Sequence, residues 1–259
     1  MGWNGYAFEA SQKNVDLLKK SIILNNYDIS IINKAVYEYT GNIYFGQAGP
    51  YGLIQNEMTQ GIEWEEIPCI CLDDWCKKED APKKIDFIKM DIEGSEVSAL
   101  RGMNKMLKKY NFPPIFVESN SYTLFLQDET QKSLLFTANQ IGYVPYILNG
   151  NKLLKYDINN FPTILVTDFL LIKDIPENLN ISLFETYFQN SDEVTTYIIE
   201  NLSKDNNDIN RHFITSICYA LKDFPNYVSN IQIKHLLELV INKNTQDKYL
   251  RKYLGWFIE

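Results

Sequence analysis

The chain has 259 residues, which is enough for one substantial hydrophobic core with an appendage or for two modest domains. Charged residues make up 22% of the chain and apolar residues 45%, a composition typical of globular proteins rather than disordered ones. The formal net charge of -8 at pH 7 argues against a nucleic-acid partner, because binding to phosphates relies on clustered lysines and arginines.

The sequence also argues against a membrane partner and against a metal site. No apolar run approaches the length of a membrane span, and the first residues lack the basic and apolar blocks of a signal peptide. We therefore expect a cytoplasmic protein. The spacing of the four cysteines fits neither a disulfide framework nor a paired zinc motif, so no structural zinc site is predicted and no metal ligand is assigned from the cysteines.

The first third of the chain begins with a strand and a helix. A strand over residues 5–9 precedes a helix whose apolar face carries Val15, Leu18 and Ile22. A second strand follows over residues 28–35. Two further β segments are predicted over residues 36–45, as a hairpin-like extension, and over residues 67–75.

An acidic turn in the middle of the chain is its most informative feature. Residues 85–90 form a nearly continuous apolar run, which is typical of a strand buried on both faces. Asp91, Glu93 and Glu96 then crowd around Gly94 before a helical pattern that runs to about residue 110. In open α/β sheets, ligands bind beyond the carboxyl ends of the strands, so function is sought at this turn.

The remaining segments complete an α/β pattern. They are strands at residues 114–118, 143–155 and 163–173, and a helix at residues 131–141. The order predicts a mostly parallel sheet with an antiparallel edge. Short helical segments joined by polar turns follow residue 176, so we predict one domain over residues 1–176 and an α-helical C-terminal region over residues 177–259.

Four carboxylates end predicted strands or follow them, namely Glu9, Asp91, Glu93 and Glu118. An acid at the place of Glu9 in a nucleotide-binding unit accepts hydrogen bonds from ribose hydroxyls, but this feature alone favours a helix-capping or solvated loop carboxylate. The close spacing of Asp91 and Glu93 favours a neighbouring cation, proton or ligand. Glu118 suits either the same cleft or a salt bridge, and Glu96 suits the dipole of the following helix.

Several strings together resemble the FkbM family of S-adenosylmethionine-dependent methyltransferases. They are YAFEA at residues 6–10, INKAV at 32–36, LDDW at 72–75, FIKMDIEGSE at 87–96, and Ala99, Leu100 and Gly102 in the following helix. The similarity extends over about residues 5–173. It implies a Rossmann-like class I methyltransferase sheet and transfer of a methyl group to a hydroxyl of a sugar or small natural product.

The resemblance also implies roles for individual residues. Glu9 is similar to the ribose acceptor, Asn33 and Ala35 lie in a stretch similar to the adenine-side loop, and Asp91 resembles the acid beside the methionine end of the cofactor. Glu93 and Glu118 are then the candidates for contact with a small-molecule or glycan acceptor. Asp91 or Glu93 would take the proton from the acceptor hydroxyl.

The family's glycine-rich cofactor loop precedes the strand that ends in Glu9, and only eight residues precede Glu9 here. We therefore expect a sheet that is incomplete at the N-terminus and weak binding of S-adenosylmethionine. Such a sheet favours a homo-oligomer or an added partner strand. Two other functions stay open, a non-catalytic binding or oligomerisation module and a metal-dependent transferase with Asp91 and Glu93 as ligands.

Overall fold

The computed structural model describes residues 3–48, 51–55, 63–159, 166–175 and 181–184, together with residues 193, 196, 200, 219–223, 234, 235 and 238. The chain divides into two compact units, Met1–Pro113 and Pro114–Glu259. The predicted domain boundary after residue 176 stays a prediction. No helix in the described ranges is long and apolar enough to cross a membrane.

The first unit opens with two parallel strands and the helix that connects them. Strand β1 (Asn4–Phe8) pairs in parallel with β2 (Asp28–Ile32), and helix α1 (Gln12–Asn25) lies between them in sequence. Ser11 caps the start of α1 through its hydroxyl, and Asn26 ends the helix in the left-handed conformation. Serine commonly caps the start of a helix and asparagine its end. The strand and the helix predicted for this part of the chain are both observed.

A four-stranded sheet in the order β3-β6-β4-β5 forms the second part of this unit. Its strands are β3 (Ala35–Val36), β4 (Gly41–Ala48), β5 (Tyr51–Gln55) and β6 (Trp64–Ile70). Of the hairpin-like extension predicted over residues 36–45, β4 is observed, but its antiparallel partner β5 lies beyond that range. Seven buried side chains form the core of this sheet, namely Ala35, Tyr37, Ile43, Phe45, Ile54, Ile67 and Cys69.

Three short helices and one short strand complete the first unit. They are α2 (Leu72–Trp75), β7 (Ile88–Met90), α3 (Glu96–Arg101) and α4 (Asn104–Lys109). The prediction that the run at residues 85–90 is buried on both faces is wrong. Met90 is buried, but Phe87 is 52% exposed. The apolar run is open to a large cleft, which is described below.

The second unit is a sheet in the order β12-β10-β9-β11-β8 with two helices. Helix α6 packs against β8 and β9, and its Leu134, Leu135 and Ala138 are buried. The elements are β8 (Ile115–Asn120), α5 (Ser121–Leu126), α6 (Gln131–Ile141), β9 (Val144–Asn149), β10 (Lys152–Lys155), β11 (Val166–Ile172) and β12 (Ile181–Leu183).

The fold is mixed α/β, and it contains fewer parallel pairs than the predicted mostly parallel sheet. Within the two units, three of the eight pairs of described strands are parallel, β1 with β2, β3 with β6, and β10 with β12. Short connections cause the difference, because a tight turn such as that between β9 and β10 joins neighbouring strands only antiparallel. β12 also adds a strand within the region that the sequence predicts to be helical.

Candidate functional site

Hydrogen bonds hold the end of β1 in place around Glu9. The Glu9 carboxylate accepts a hydrogen bond from the Ser11 backbone N–H at 2.7 Å. The Asn33 side-chain amide donates to the carbonyl oxygens of Glu9 and Ala10, at 2.9 and 3.2 Å. Asn33 therefore fixes the backbone that carries Glu9. The resemblance implied a place for Asn33 beside the adenine of the cofactor and did not indicate this structural role.

The acidic turn after β7 is held by Glu96. This residue is only 2% exposed, and its Oε1 accepts hydrogen bonds from the backbone N–H groups of Ile92 and Gly94, at 3.0 and 3.3 Å. Glu93 and Gly94 both have positive φ, 53° and 99°. The left-handed conformation costs a residue with a side chain about 1–2 kcal/mol. The hydrogen bonds of the turn therefore hold Glu93 in a backbone conformation that glutamate does not favour.

The other two carboxylates of the turn differ in their surroundings. Asp91 is exposed and forms an ion pair with Lys89 at 3.0 Å. Glu93 is partly buried, and burial, followed by the nearby charge of Asp91, raises the pKa of Glu93. Glu93 therefore releases its proton at higher pH than an ordinary glutamate, which suits a proton acceptor.

A small pocket of about 250 Å³ gathers most of the predicted site residues. Glu9, Ala35, Asp91 and Glu93 all line this pocket. Two residues that the sequence did not single out, Asn14 and Lys34, also line it. Lys34 could have been found from the sequence, because it lies between Asn33 and Ala35 in the string that resembles the adenine-side loop.

A larger cleft of about 1210 Å³ meets this pocket. The two share Phe8, Glu9, Val36, Asp91 and Ile92 as lining residues. Ligand pockets for small molecules commonly measure roughly 300–1,000 Å³, so the small pocket alone suits part of a nucleoside cofactor. The carboxylates at the ends of β1 and β7 lie where the cleft and the pocket join.

The comparison with protein families decides what kind of site this is. The model of the methyltransferase FkbM domain matches residues 1–145, which is more than half of the chain. The chain belongs to the FkbM methyltransferase family. This confirms the family that the strings around Glu9 and the acidic turn resemble.

One similar solved structure is the methyltransferase FkbM from Methylobacillus flagellatus KT. It is 21% identical, with a TM-score of 0.38, and the match covers 65% of this chain and 36% of that one. The FkbM-family chain thus spans about a third of the length of that protein. No curated protein matches the chain.

The remaining predicted residue, Glu118, belongs to the second unit. It lies on β8, opposite Asp168 on β11. Its predicted contact with an acceptor stays a prediction. Among the residues that the structure describes, no three His, Cys, Asp or Glu side chains are grouped so that they could hold a metal ion, and nothing there adds a third ligand to Asp91 and Glu93.

The raised pKa of Glu93 gives this FkbM-family chain a testable pH dependence. The folded chain holds the Glu93 proton more tightly than the unfolded chain does, so ionised Glu93 costs stability once the pH exceeds its folded pKa. We expect Glu93→Gln to raise the free energy of unfolding at pH 7 and to lose this advantage below about pH 4. Urea unfolding at several pH values measures the effect.

A matched control distinguishes the effect of the partly buried Glu93 charge on stability from the effect of removing any glutamate charge. Glu79 lies in an exposed turn of the same unit, so Glu79→Gln removes the same charge without changing a buried group. We expect the stability of Glu79→Gln to follow the wild type at every pH. A gain for Glu93→Gln that is equally large at pH 4 and pH 7 would contradict the explanation.

Proposed function

We propose that the chain contributes to a S-adenosylmethionine-dependent O-methyltransferase that acts on a hydroxyl of a sugar or small natural product. One observation carries the proposal, the meeting of Glu9, Asp91 and Glu93 around a single pocket at the ends of two strands. Membership of the FkbM family supports methyl transfer. The parallel pair β1 and β2, joined by α1, suits the Rossmann-like sheet of class I methyltransferases.

The side chains around the pocket fit the nucleoside part of the cofactor. The Glu9 carboxylate supplies the acceptor atoms that ribose hydroxyls need, and buried Ala35 and Val36 supply an apolar wall for a flat base. Asp91 offers a negative charge to the ammonium group of the methionine part. Asn33 would keep Glu9 in place through its two hydrogen bonds to the backbone.

In this mechanism the protein mainly positions groups and takes up a proton. The cofactor, when bound, supplies an electrophilic methyl group on sulfur. Glu93 would accept the proton of the acceptor hydroxyl as its oxygen becomes the nucleophile, and the raised pKa of Glu93 suits this task. Alignment of the acceptor oxygen with the methyl group provides most of the rate enhancement in such a reaction.

A non-catalytic binding module is the second candidate, and the size of the pocket favours it. At about 250 Å³ the pocket is smaller than sites that enclose a whole cofactor. A chain that recognises only part of the cofactor would bind without turnover. The affinity for S-adenosylmethionine therefore distinguishes a methyltransferase from a non-catalytic module, whereas the acidic residues are common to both.

A titration with S-adenosylmethionine tests the proposed site. We expect weak binding, with a Kd above roughly 100 µM, and shifts in the amide NMR signals of Glu9, Ala35 and Asp91. Glu9→Gln should weaken binding at least about fivefold, because an acceptor for the ribose hydroxyls is lost. Glu79→Gln, at an exposed position outside both cavities, should leave binding unchanged.

Two outcomes of this titration would contradict the proposed site. The first is the absence of amide shifts at these residues with millimolar cofactor. The second is equal affinity of the wild type and Glu9→Gln. A Kd in the low micromolar range would contradict the expectation of weak binding and would rule against the non-catalytic module.

A further inference from the structure

A short segment far along the chain, residues 219–223, packs against the turn between α5 and α6 in the second unit. Its Tyr219 is 2% exposed, and the ring meets the Phe125 ring edge-to-face with centroids 5.1 Å apart. The Tyr219 hydroxyl donates to the Asp128 carbonyl oxygen at 2.9 Å, and the Lys222 ammonium lies 3.5 Å from the centroid of the Tyr219 ring. An aromatic pair and a hydrogen bond therefore anchor the segment to the turn.

The turn that receives Tyr219 has an uncommon backbone conformation. Asp128 has a φ of 59°, in the left-handed region that residues with a side chain seldom adopt. Its N–H donates to the Phe125 carbonyl at 3.0 Å. The next N–H, of Glu129, donates to the Leu124 carbonyl at 2.9 Å. Because the Tyr219 hydroxyl binds the carbonyl of the left-handed residue itself, the segment stabilises the turn in this conformation.

Asp223, at the end of the segment, binds two residues at the start of α6. The Thr130 hydroxyl donates to the Asp223 carboxylate at 2.6 Å, and the Lys132 ammonium donates to the Asp223 backbone carbonyl at 2.8 Å. Thr130 is also the cap of α6, since its hydroxyl oxygen accepts from the Ser133 N–H at 3.1 Å. A hydroxyl that gives its hydrogen to a carboxylate keeps its lone pairs for other donors, so Asp223 orients the cap.

Gln131, which lies between Thr130 and Lys132, continues these hydrogen bonds into the sheet. Its side-chain N–H donates to the Ser119 hydroxyl at 3.3 Å, and its side-chain oxygen accepts from the Tyr156 hydroxyl at 3.2 Å. Ser119, Gln131 and Tyr156 are 0%, 2% and 3% exposed. Buried polar groups that lose a partner are costly because water cannot replace it, so these three side chains hold one another in a single arrangement.

We propose that residues 219–223 act as a strap, which holds the first turn of α6 and, through Gln131, the carboxyl end of β8. Adjacent residues of one helical turn bind the strap on one side and Ser119 on the other, so loosening the strap loosens both. The strap lies outside residues 1–145, which the family model matches. Ser119 follows Glu118 on β8, so the strap reaches the residue predicted to contact the acceptor, a consequence that rests on the proposed function.

Hydrogen exchange of the full chain, followed by NMR, tests the strap without any ligand. Asp223→Ala removes the acceptor of the Thr130 hydroxyl, so exchange at the Ser133 amide should become at least about tenfold faster. The Tyr156 amide, which donates to the Pro145 carbonyl at 3.0 Å, reports on the far end of the network and should exchange at least about threefold faster. Asp223→Asn keeps an oxygen for Thr130 and should retain most of the protection.

Further variants separate the two connections of the strap. Tyr219→Phe keeps the ring but removes the bond to Asp128, so the Glu129 amide should exchange at least about fivefold faster. In a Gln131→Leu background, Asp223→Ala should still accelerate exchange at Ser133 but should add no further acceleration at Tyr156, because the connecting side chain is gone.

Two controls test whether the effect is local. Gln140→Ala changes an exposed residue in the last turn of α6 and should leave the Ser133 and Tyr156 amides unchanged. The Tyr143 amide donates to the Ala138 carbonyl at 3.0 Å at the other end of α6, and its exchange should be the same in the wild type and in Asp223→Ala.

Three results would overturn the proposal. Unchanged exchange at Ser133 in Asp223→Ala would show that the segment does not hold the cap. Equal acceleration at Ser133, Tyr156 and Tyr143 would show a general loss of stability instead of a strap. Acceleration at Tyr156 that persists in the Gln131→Leu background would show that Gln131 does not connect the two ends. Because none of these measurements needs a cofactor, failure of the S-adenosylmethionine titration would contradict the proposed function and leave the strap supported.

Discussion

Replacing Gly102 with alanine is expected to lower the free energy of unfolding by about 3 kcal/mol or more, at the upper end of the cost of overpacking. A Cβ atom at this position would lie 2.5 Å from the Tyr37 carbonyl oxygen and 2.9 Å from the Glu38 Cα. Both neighbours are backbone atoms, so no side-chain rotation relieves the clash. Urea unfolding followed by circular dichroism measures the loss.

The expected loss has a second source in the hydrogen bonds of Gly102. Its carbonyl oxygen accepts from the Asp73 N–H at 2.9 Å and from the Cys71 thiol at 3.0 Å. A backbone shift that makes room for a methyl group would also stretch these bonds. With φ of -82°, Gly102 needs no special backbone freedom, so the close approach alone explains the glycine.

Gly41→Ala is the matched control for this substitution. A Cβ there would meet only the Tyr39 ring, at 3.5 Å, which is ordinary van der Waals contact. We expect Gly41→Ala to change the stability by less than about 0.5 kcal/mol. If Gly102→Ala were as stable as Gly41→Ala, the packing of α3 against the Tyr37 backbone would not be tight.

Elements that depend on local pattern could be predicted from the sequence. The helix at residues 131–141 is observed as α6, with Thr130 and Ser133 forming a reciprocal cap at its start. The strand and helix at the beginning of the chain are also observed with small changes in their ends. In these segments the residues that set the ends of an element are its neighbours in sequence.

Features that depend on distant neighbours could not be predicted. The run at residues 85–90 is as apolar as a buried strand, but whether such a strand is covered depends on what lies beside it. The reason for Gly102 was equally hidden, because its close neighbour Tyr37 lies far away in sequence. The string that contains Gly102 indicated the family without indicating this contact.

Four of the residues singled out from the sequence, Glu9, Ala35, Asp91 and Glu93, line one pocket. Their roles remain predictions. The sequence assigned Glu96 to the start of the following helix and Asp91 and Glu93 to the cleft, but it did not indicate that Glu96 accepts the backbone N–H groups of the turn. The fold separates them by burial and hydrogen bonding, and it assigns the structural role to Glu96.

Replacing Glu96 with alanine is expected to lower the free energy of unfolding by about 2–4 kcal/mol, because two backbone N–H groups in a buried turn lose their acceptor. The amides of Ile92 and Gly94 should lose their protection against hydrogen exchange. Release of the turn should also free Glu93 from its left-handed conformation, so cofactor-induced shifts at Asp91 should disappear together with this protection.

Glu96→Gln tests whether one side-chain oxygen at this position is enough to hold the turn. The glutamine side chain keeps one oxygen at the position of Oε1, so part of the protection at Ile92 and Gly94 should remain and the loss of stability should be about half as large. Ser98→Ala changes a side chain of the same helix for which no contact with the turn is observed, and it should leave both amides protected. Full protection of these amides in Glu96→Ala would show that another group holds the turn, and the carboxylates at the ends of β1 and β7 would then owe their arrangement to the strands alone.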